Sequence, residues 1–215
     1  MKKISMFVLT VMAVFAVTCA TSNSFSFKVG YYMPNDLPYN GIIWGADYGY
    51  QVDENVEILA SGDLFLRSVE NITDQGDIEK VGVPISQFSK LSEWSVWHLP
   101  LTFKVRISFP IDEESKVKPF ALAGIGYGIT HVSYTASADE NGDPLANPQE
   151  ESLTYNGFVW QVGGGVMLRV GSRSNFIGEL IYNGASFDKK EGELLFSNLD
   201  SSGFILRAGI NVILF

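Results

Sequence analysis

The chain has 215 residues, 46% hydrophobic and 13% aromatic, with 24 acidic against 15 basic side chains. That length makes one domain the natural expectation. A net charge of −9 argues against nucleic acid as partner, because binding phosphates needs a basic face. Mean hydropathy is slightly positive, at +0.12, yet no run of about 18 apolar residues follows the first twenty, which excludes membrane helices there. Alternating strands, greasy on one face and polar on the other, give that combination.

The chain opens with Lys2 and Lys3, then an apolar stretch over 4–17 interrupted by Ser5 and Thr10, then the small residues Thr18, Cys19 and Ala20. This order reads as a secretory signal, too short and wrongly flanked for a spanning helix. Cleavage after Ala20 divides the chain into a signal peptide, 1–20, and one barrel domain, 21–215. It leaves 13 basic against 24 acidic residues, a net charge of −11. Cys19, the only cysteine, leaves with the signal, so no disulfide is expected. A lipoprotein reading of Cys19 would favour Leu three residues before it and Gly, Ala or Ser immediately before; Ala16 and Thr18 stand there.

Period-two alternation then predicts eight strands in chain order. The first, about 25–33, sets Phe25, Phe27, Val29, Tyr31 and Met33 against Ser26, Lys28 and Gly30. The second, about 42–52, sets Ile42, Trp44, Tyr48 and Tyr50 against Gly45, Asp47 and Gly49. After the turn Asp53-Glu54-Asn55, a third over 56–67 opposes Ile58, Leu64 and Leu66 to Glu57, Ser61, Asp63 and Arg67. The fourth, about 96–109, is the clearest: Leu101, Phe103, Val105, Ile107 and Phe109 alternate with Thr102, Lys104, Arg106 and Ser108. The fifth, 119–132, alternates Ala121, Ala123, Ile125 and Tyr127 with Gly124, Gly126 and Gly128. A sixth over 157–170 sets Phe158, Trp160, Val162, Val166 and Leu168 against Gln161, Gly163, Gly165 and Arg169. The seventh, 175–183, places Phe176, Leu180 and Tyr182 opposite Glu179; the eighth, from Phe204 to the end, places Leu206, Ile210, Val212 and Leu214 opposite Arg207, Gly209 and Asn211.

Three features make this an argument for an all-β, eight-stranded, antiparallel up-and-down transmembrane barrel. First, every strand charge has one parity: Lys28, Asp47, Glu57, Asp63, Arg67, Lys104, Arg106, Arg169, Glu179 and Arg207. An Arg or Lys facing lipid at mid-depth costs about 2–4 kcal/mol, so the charge-free parity is the lipid face, and a soluble barrel would invert the pattern. Second, connection lengths alternate. The turns after the second, fourth and sixth strands are short, while 69–95, 132–156 and 184–201 are long and 34–41 is modest, as in barrels with short periplasmic turns and long external loops. Third, aromatics of the lipid parity gather at strand ends. Trp44, Trp97, Phe158, Trp160, Tyr182 and Phe204 fall at the external rim, and Tyr50, Phe109 and Phe176 at the inner one, forming two interfacial girdles.

On these residues the chain resembles the small outer-membrane β-barrel family that includes OmpX-like, OmpA-barrel-like and OmpW-like proteins. Leu99-Pro100-Leu101, the run Pro119-Phe120-Ala121-Leu122-Ala123-Gly124-Ile125-Gly126-Tyr127 and the terminal strand ending in Phe215 carry the likeness, which spans the mature chain. It implies location in the bacterial outer membrane, with outer-membrane lipid and lipopolysaccharide as surroundings. It also implies that Gly209, Val212, Leu214 and Phe215 form a signal read by the barrel-assembly machinery. It says little about role, since one fold hosts many functions. No cofactor is expected, and no second domain, such as a peptidoglycan-gripping module, is expected after Phe215.

An eight-stranded barrel is just wide enough for side chains to fill it. Six basic and four acidic inward residues are therefore expected to pair and plug the lumen, with Gly124, Gly126, Gly128, Gly163 and Gly165 making room for them. The alternative is a minor, porin-like polar path for small solutes; an OmpW-like apolar conduit fits a charged lumen less well. The run Gly124-Ile125-Gly126-Tyr127-Gly128 lies within a strand with no helix after it, which removes a phosphate-loop reading. Asp139, Asn141, Asp143 and Glu150 fall at positions 1, 3, 5 and 12 of a calcium loop, but Pro144 replaces the required glycine, and an acidic solvated loop is the reading taken.

His131 and Ser133 share the lipid parity at an external strand end and offer a base and a nucleophile toward outer-leaflet lipid. The spacing resembles the His-x-Ser of outer-membrane lipid A deacylases, with Tyr134 where that family has Asn. The simpler reading is an interfacial pair in a protein that is not an enzyme. Ile85, Phe88, Leu91 and Trp94 recur at three-residue spacing after Pro84, as one stripe of a short helix or as an adhesive patch. A plugged barrel is the result, its external loops carrying adhesion, envelope integrity or contact with a host or surface ligand.

Overall fold

The computed structural model describes residues 22–35, 40–72, 90–109, 111, 115–138, 144–188 and 198–214. The expected signal peptide with Cys19, the acidic run 139–143 and Phe215 lie outside these residues.

Eight strands close one antiparallel barrel: β1 (Asn23–Pro34), β2 (Gly41–Asp53), β3 (Val56–Ile72), β4 (Lys90–Ser108), β5 (Val117–Ala138), β6 (Pro144–Arg169), β7 (Ser174–Gly184) and β10 (Gly203–Ile213). Each pairs with its neighbour in sequence, and β1 pairs with β10 from Ser24↔Ile213 to Pro34↔Gly203 to shut the ring. Two three-residue strands, β8 (Ser186–Asp188) and β9 (Asn198–Asp200), form a separate hairpin between β7 and β10. Closure removes the sheet edge, which hydrocarbon would not tolerate.

Sidedness follows the alternation. Lys104 and Arg106 are each 1% exposed, whereas their strand neighbours Phe103 and Val105 are 51% and 43% exposed. Charge lies inside and the apolar side chains form the outer surface. This is the inverse of a water-soluble barrel, and only lipid makes such an exterior stable.

The barrel is lopsided. At the end that holds Asn23 and Ile213, β2 and β3 are joined by a two-residue turn and β6 and β7 by a four-residue one, with the β4–β5 connection over 109–116 beside them; this is the turn end. At the opposite, extension end, β3–β4 pairing runs on to Ile72↔Lys90 and β5–β6 pairing to Ala138↔Pro144. The β6–β7 ladder, by contrast, stops at Trp160↔Gly184. Much of what alternation assigned to long loops is therefore paired strand. The pattern fails there because, above the lipid, both faces of a strand meet water. The helical stripe is corrected by the same finding: Leu91 and Trp94 lie in β4, Trp94 opposite Val69 and Tyr134, while Ile85 and Phe88 lie outside the described residues. Glu150 sits in β6 opposite Thr135, so the calcium-loop spacing runs into a strand.

Candidate functional site: the filled lumen and its rim

The middle of the lumen is an ion-pair network built by six strands. Lys28 on β1 binds Asp47 on β2 and reaches Glu179 on β7 at 3.0 Å. Arg207 on β10 bridges Asp63 and Glu179, its Nε donating to Glu179 Oε2 at 2.6 Å. Arg106 on β4 pairs with Glu57 at 2.8 Å and lies 3.6 Å from both Asp47 and Glu179. Its guanidinium also sits 5.1 Å from the centre of the Phe120 ring. Lys104 is held more loosely, 3.6 Å from Asp63, and its Nζ makes no hydrogen bond among the described residues. Close packing depends on missing side chains opposite: a Cβ on Gly45 would lie 2.9 Å from Arg207 Nη1, and one on Gly124 would lie 2.6 Å from Lys104 Cγ.

Of the charges expected inside, Arg67 and Arg169 depart. Both are exposed, Arg67 toward the extension end and Arg169 lining the mouth at the turn end. Without them the network is neutral, with Lys28, Lys104, Arg106 and Arg207 against Asp47, Glu57, Asp63 and Glu179. A buried excess of two cations would lack partners, and a buried unpaired charge is costly; Arg67, in β3 beyond its pairing with β2, and Arg169, at the end of β6, reach water instead.

Toward the extension end the lumen changes character, which corrects the expectation of a charged interior throughout. Tyr32, Ile43, Phe65, Val96, Val159, Ile181 and Ile205 face inward and are buried. The β8–β9 hairpin folds onto them, burying Phe187 and Leu199. Phe187 fills a socket left by two glycines: a Cβ on Gly157 would lie 2.9 Å from its ring, and one on Gly128 3.1 Å. Gly128 thus makes room for the plug rather than for a charge.

Polar groups fasten this plug. The Tyr32 hydroxyl donates to the Ser201 carbonyl, Asn183 Nδ2 donates to the same carbonyl at 3.3 Å, and the Ala185 amide donates to Ser202 Oγ at 3.0 Å. His98, fully buried, contacts Thr130 Oγ1 at 2.7 Å and stacks on Tyr32. The sequence carried a signal for this layer: Ile43, Phe65 and Ile205 break the polar parity of their own strands near the extension end.

At the turn end a cavity of about 130 Å³ opens beneath the network, lined by Ser24, Gln51, Glu57, Lys118, Arg169 and Asn211 among others. Among the described residues no group of three or more His, Cys, Asp or Glu is placed to hold a metal.

On the exterior, Trp44, Phe109, Phe158, Trp160, Phe176 and Phe204 are exposed, and Tyr50, Trp97 and Tyr182 half-buried. Trp160, Tyr182 and Phe204 form a chain of ring contacts at 5.5 and 5.1 Å. Within β10, Gly209 leaves space that Lys28 occupies and Val212 faces outward; just after the strand, the Leu214 amide donates to the Asn23 carbonyl at 2.7 Å. His131 contacts Thr154 Oγ1 through Nδ1 at 2.9 Å and stacks on Trp97. Its described hydrogen-bond partner is thus a threonine on β6.

No known protein family matches the chain by its sequence profile, and no curated protein matches it by sequence. Solved structures do match. A major outer membrane protein of Thermus thermophilus is 13% identical, over 89% of this chain and 99% of that one, with a TM-score of 0.54. The outer membrane protein OprG of Pseudomonas aeruginosa is 12% identical, over 90% and 95%, with a TM-score of 0.50. The attachment invasion locus protein Ail of Yersinia pestis, solved with the heparin analogue sucrose octasulfate, is 15% identical over 88% and 96%, with a TM-score of 0.48. At these identities the first two likenesses establish the fold alone: this chain is built as those outer-membrane barrels are.

Proposed function

We propose that the chain is an exported protein of the bacterial outer membrane whose lumen is closed and whose role, structural or adhesive, is carried by the β3–β6 extension. In this reading the signal over 1–20 is cleaved near Ala20 and the assembly machinery reads the end of β10. The turn end faces the periplasm. The extension then stands outside the lipid, offering a surface to lipopolysaccharide, a neighbouring cell or a host ligand. The observation that carries the reading is the double closure of the lumen, by a neutral ion-pair network and by the apolar hairpin plug above it. A protein whose channel is filled twice has its free surface at the extension. His131 serves here as an interfacial residue, its ring stacked on Trp97 and its Nδ1 in contact with Thr154.

The test is conductance of the purified chain in planar bilayers. Silence is the expected result, and steady ohmic steps would overturn the reading. The cavity at the turn end favours a second reading, a narrow solute path gated by the hairpin. That path would conduct only when the hairpin is displaced and the ion pairs beneath it also part, so channel activity confined to variants that lack residues 186–200 and also carry Arg106→Ala would select it.

A further inference from the structure

The outward face of β4, β5 and β6 changes chemistry over a few residues. The cross-strand row Leu101–Tyr127–Phe158 is exposed and largely apolar. The next rows toward the extension end are Leu99–Ile129–Asn156, then Trp97–His131–Thr154, then Ser95–Ser133–Ser152. Twelve residues separate Phe109, at the turn end, from Trp97. At a rise of about 3.3 Å and a tilt of about 40°, they span about 30 Å. The Trp97 row therefore lies where hydrocarbon gives way to headgroups.

These rows are organised. His131 Nδ1 meets Thr154 Oγ1 at 2.9 Å, the Trp97 and His131 rings lie 5.7 Å apart at 27°, and the Tyr127 hydroxyl donates to Asn156 Oδ1 at 2.7 Å. Those contacts leave the Asn156 amide N–H groups, the second His131 nitrogen and a row of serine hydroxyls facing the same surface. Elsewhere on the rim the aromatics meet other rings, Trp44 against Phe27 and Trp160 against Tyr182. None of the four rows holds an Asp, Glu, Lys or Arg. Phosphate recognition relies on Arg or Lys, so this patch suits an uncharged polar ligand with an apolar face.

We propose that this patch binds the sugar of an outer-leaflet glycolipid, its C–H face on the Trp97 indole and its hydroxyls on the second nitrogen of His131, Thr154, Asn156 and Ser133. Rings with polar neighbours at a wet–dry boundary are matched to such an amphipathic group. The proposal rests on the outer-membrane reading given above.

The test uses the full chain in phosphatidylethanolamine nanodiscs doped equally with glucosyl diacylglycerol, lipid A and phosphatidylglycerol, with retained lipid identified by native mass spectrometry. Glucosyl diacylglycerol and lipid A should be retained at least fivefold over phosphatidylglycerol. The double variant T154V/N156L should bring that ratio below twofold, as should H131F alone, while W44F leaves it unchanged. All are outward substitutions whose folding is checked by heat-dependent electrophoretic mobility. Equal retention of the three lipids would overturn the proposal, as would retention of lipid A without glucosyl diacylglycerol, which means phosphate is read. An enrichment that survives both T154V/N156L and H131F would also overturn it. A chain that holds no lipid of any class would overturn the outer-membrane reading as well, so the two failures are distinct.

Discussion

Toward the turn end the lumen is filled by side chains of the barrel wall itself. Lys28, Arg106 and Arg207 each contact carboxylates from two or more other strands, so the network ties β1, β2, β3, β4, β7 and β10 together. Toward the extension end it is filled by an insertion. The β8–β9 hairpin packs Phe187 and Leu199 into the apolar cluster with Tyr32 and Val159, sets the Phe187 ring against His98, and contributes nothing to the ring of strands. The first filling cannot leave without breaking the wall, whereas the second can leave and let the wall stand. Charge therefore secures the barrel, and apolar contact closes its mouth.

The largest effect should come from Arg207. Arg207→Met removes the residue that, among the described residues, bridges Asp63 and Glu179, leaving Asp63 with the distant Lys104 as its described cation and Glu179 with Lys28 and Arg106. Breaking a buried pair from one side costs about 3–5 kcal/mol, because the remaining carboxylate stays buried and under-compensated. Urea unfolding in detergent micelles should show that loss as one cooperative transition across the barrel. A loss below about 1 kcal/mol would mean the network is not what ties the strands.

Phe187→Ala probes the other half. Truncating a packed Phe costs about 3–5 kcal/mol, but here the cost falls on hairpin docking. Amide exchange at Ala185, Ser201 and Ser202, whose N–H groups bond within this region, should accelerate by about a hundredfold or more. Global unfolding should move by less than about 1 kcal/mol. If wall and hairpin lost stability together, the separation drawn here would fail.

How far these two halves were legible in the sequence differs for a physical reason. A charge within an apolar strand has one affordable direction in lipid, so Lys104, Arg106 and Glu179 declared the inside, and Phe103, Val105 and Leu180 the outside. Burial of apolar side chains carries no such asymmetry. Ile43, Phe65 and Ile205 on the polar parity could only be placed once the hairpin that covers them was seen, and Phe187 sat in what alternation left as loop. Arg67 and Arg169 had the correct parity, but Arg67 lies in β3 beyond its pairing with β2 and Arg169 at the end of β6, where parity no longer implies burial. Above the lipid, β3 to β6 continue without alternation because nothing there requires it. The His131–Thr154 contact depends on the β5–β6 register, which no local pattern reports.

Lys104→Met sharpens the comparison within the network. Lys104 is as buried as Arg207, yet it lies 3.6 Å from Asp63 and its Nζ has no hydrogen bond among the described residues, while Asp63 keeps Arg207. The cost of breaking a buried pair from one side comes from the carboxylate left without a cation, and Asp63 still has its closer partner, Arg207, when Lys104 is gone. The loss in urea unfolding should stay under about 1 kcal/mol, against several for Arg207→Met, although both substitutions remove one buried cation.

The smallest effects test the boundary of the network. Arg67→Ala and Arg169→Ala remove exposed cations at the two ends of the lumen, and surface changes of this kind fall within about 0.5 kcal/mol. A larger loss in either would place that arginine among the groups holding the wall, and the buried set would then carry an excess of positive charge. The pair also separates the two mouths. Arg169 lines the cavity at the turn end, so its removal should change how readily that cavity admits a water-soluble quencher placed on the turn-end side of a reconstituted bilayer. The same measurement should not register Arg67→Ala, because the ion pairs and the docked hairpin stand between that arginine and the cavity.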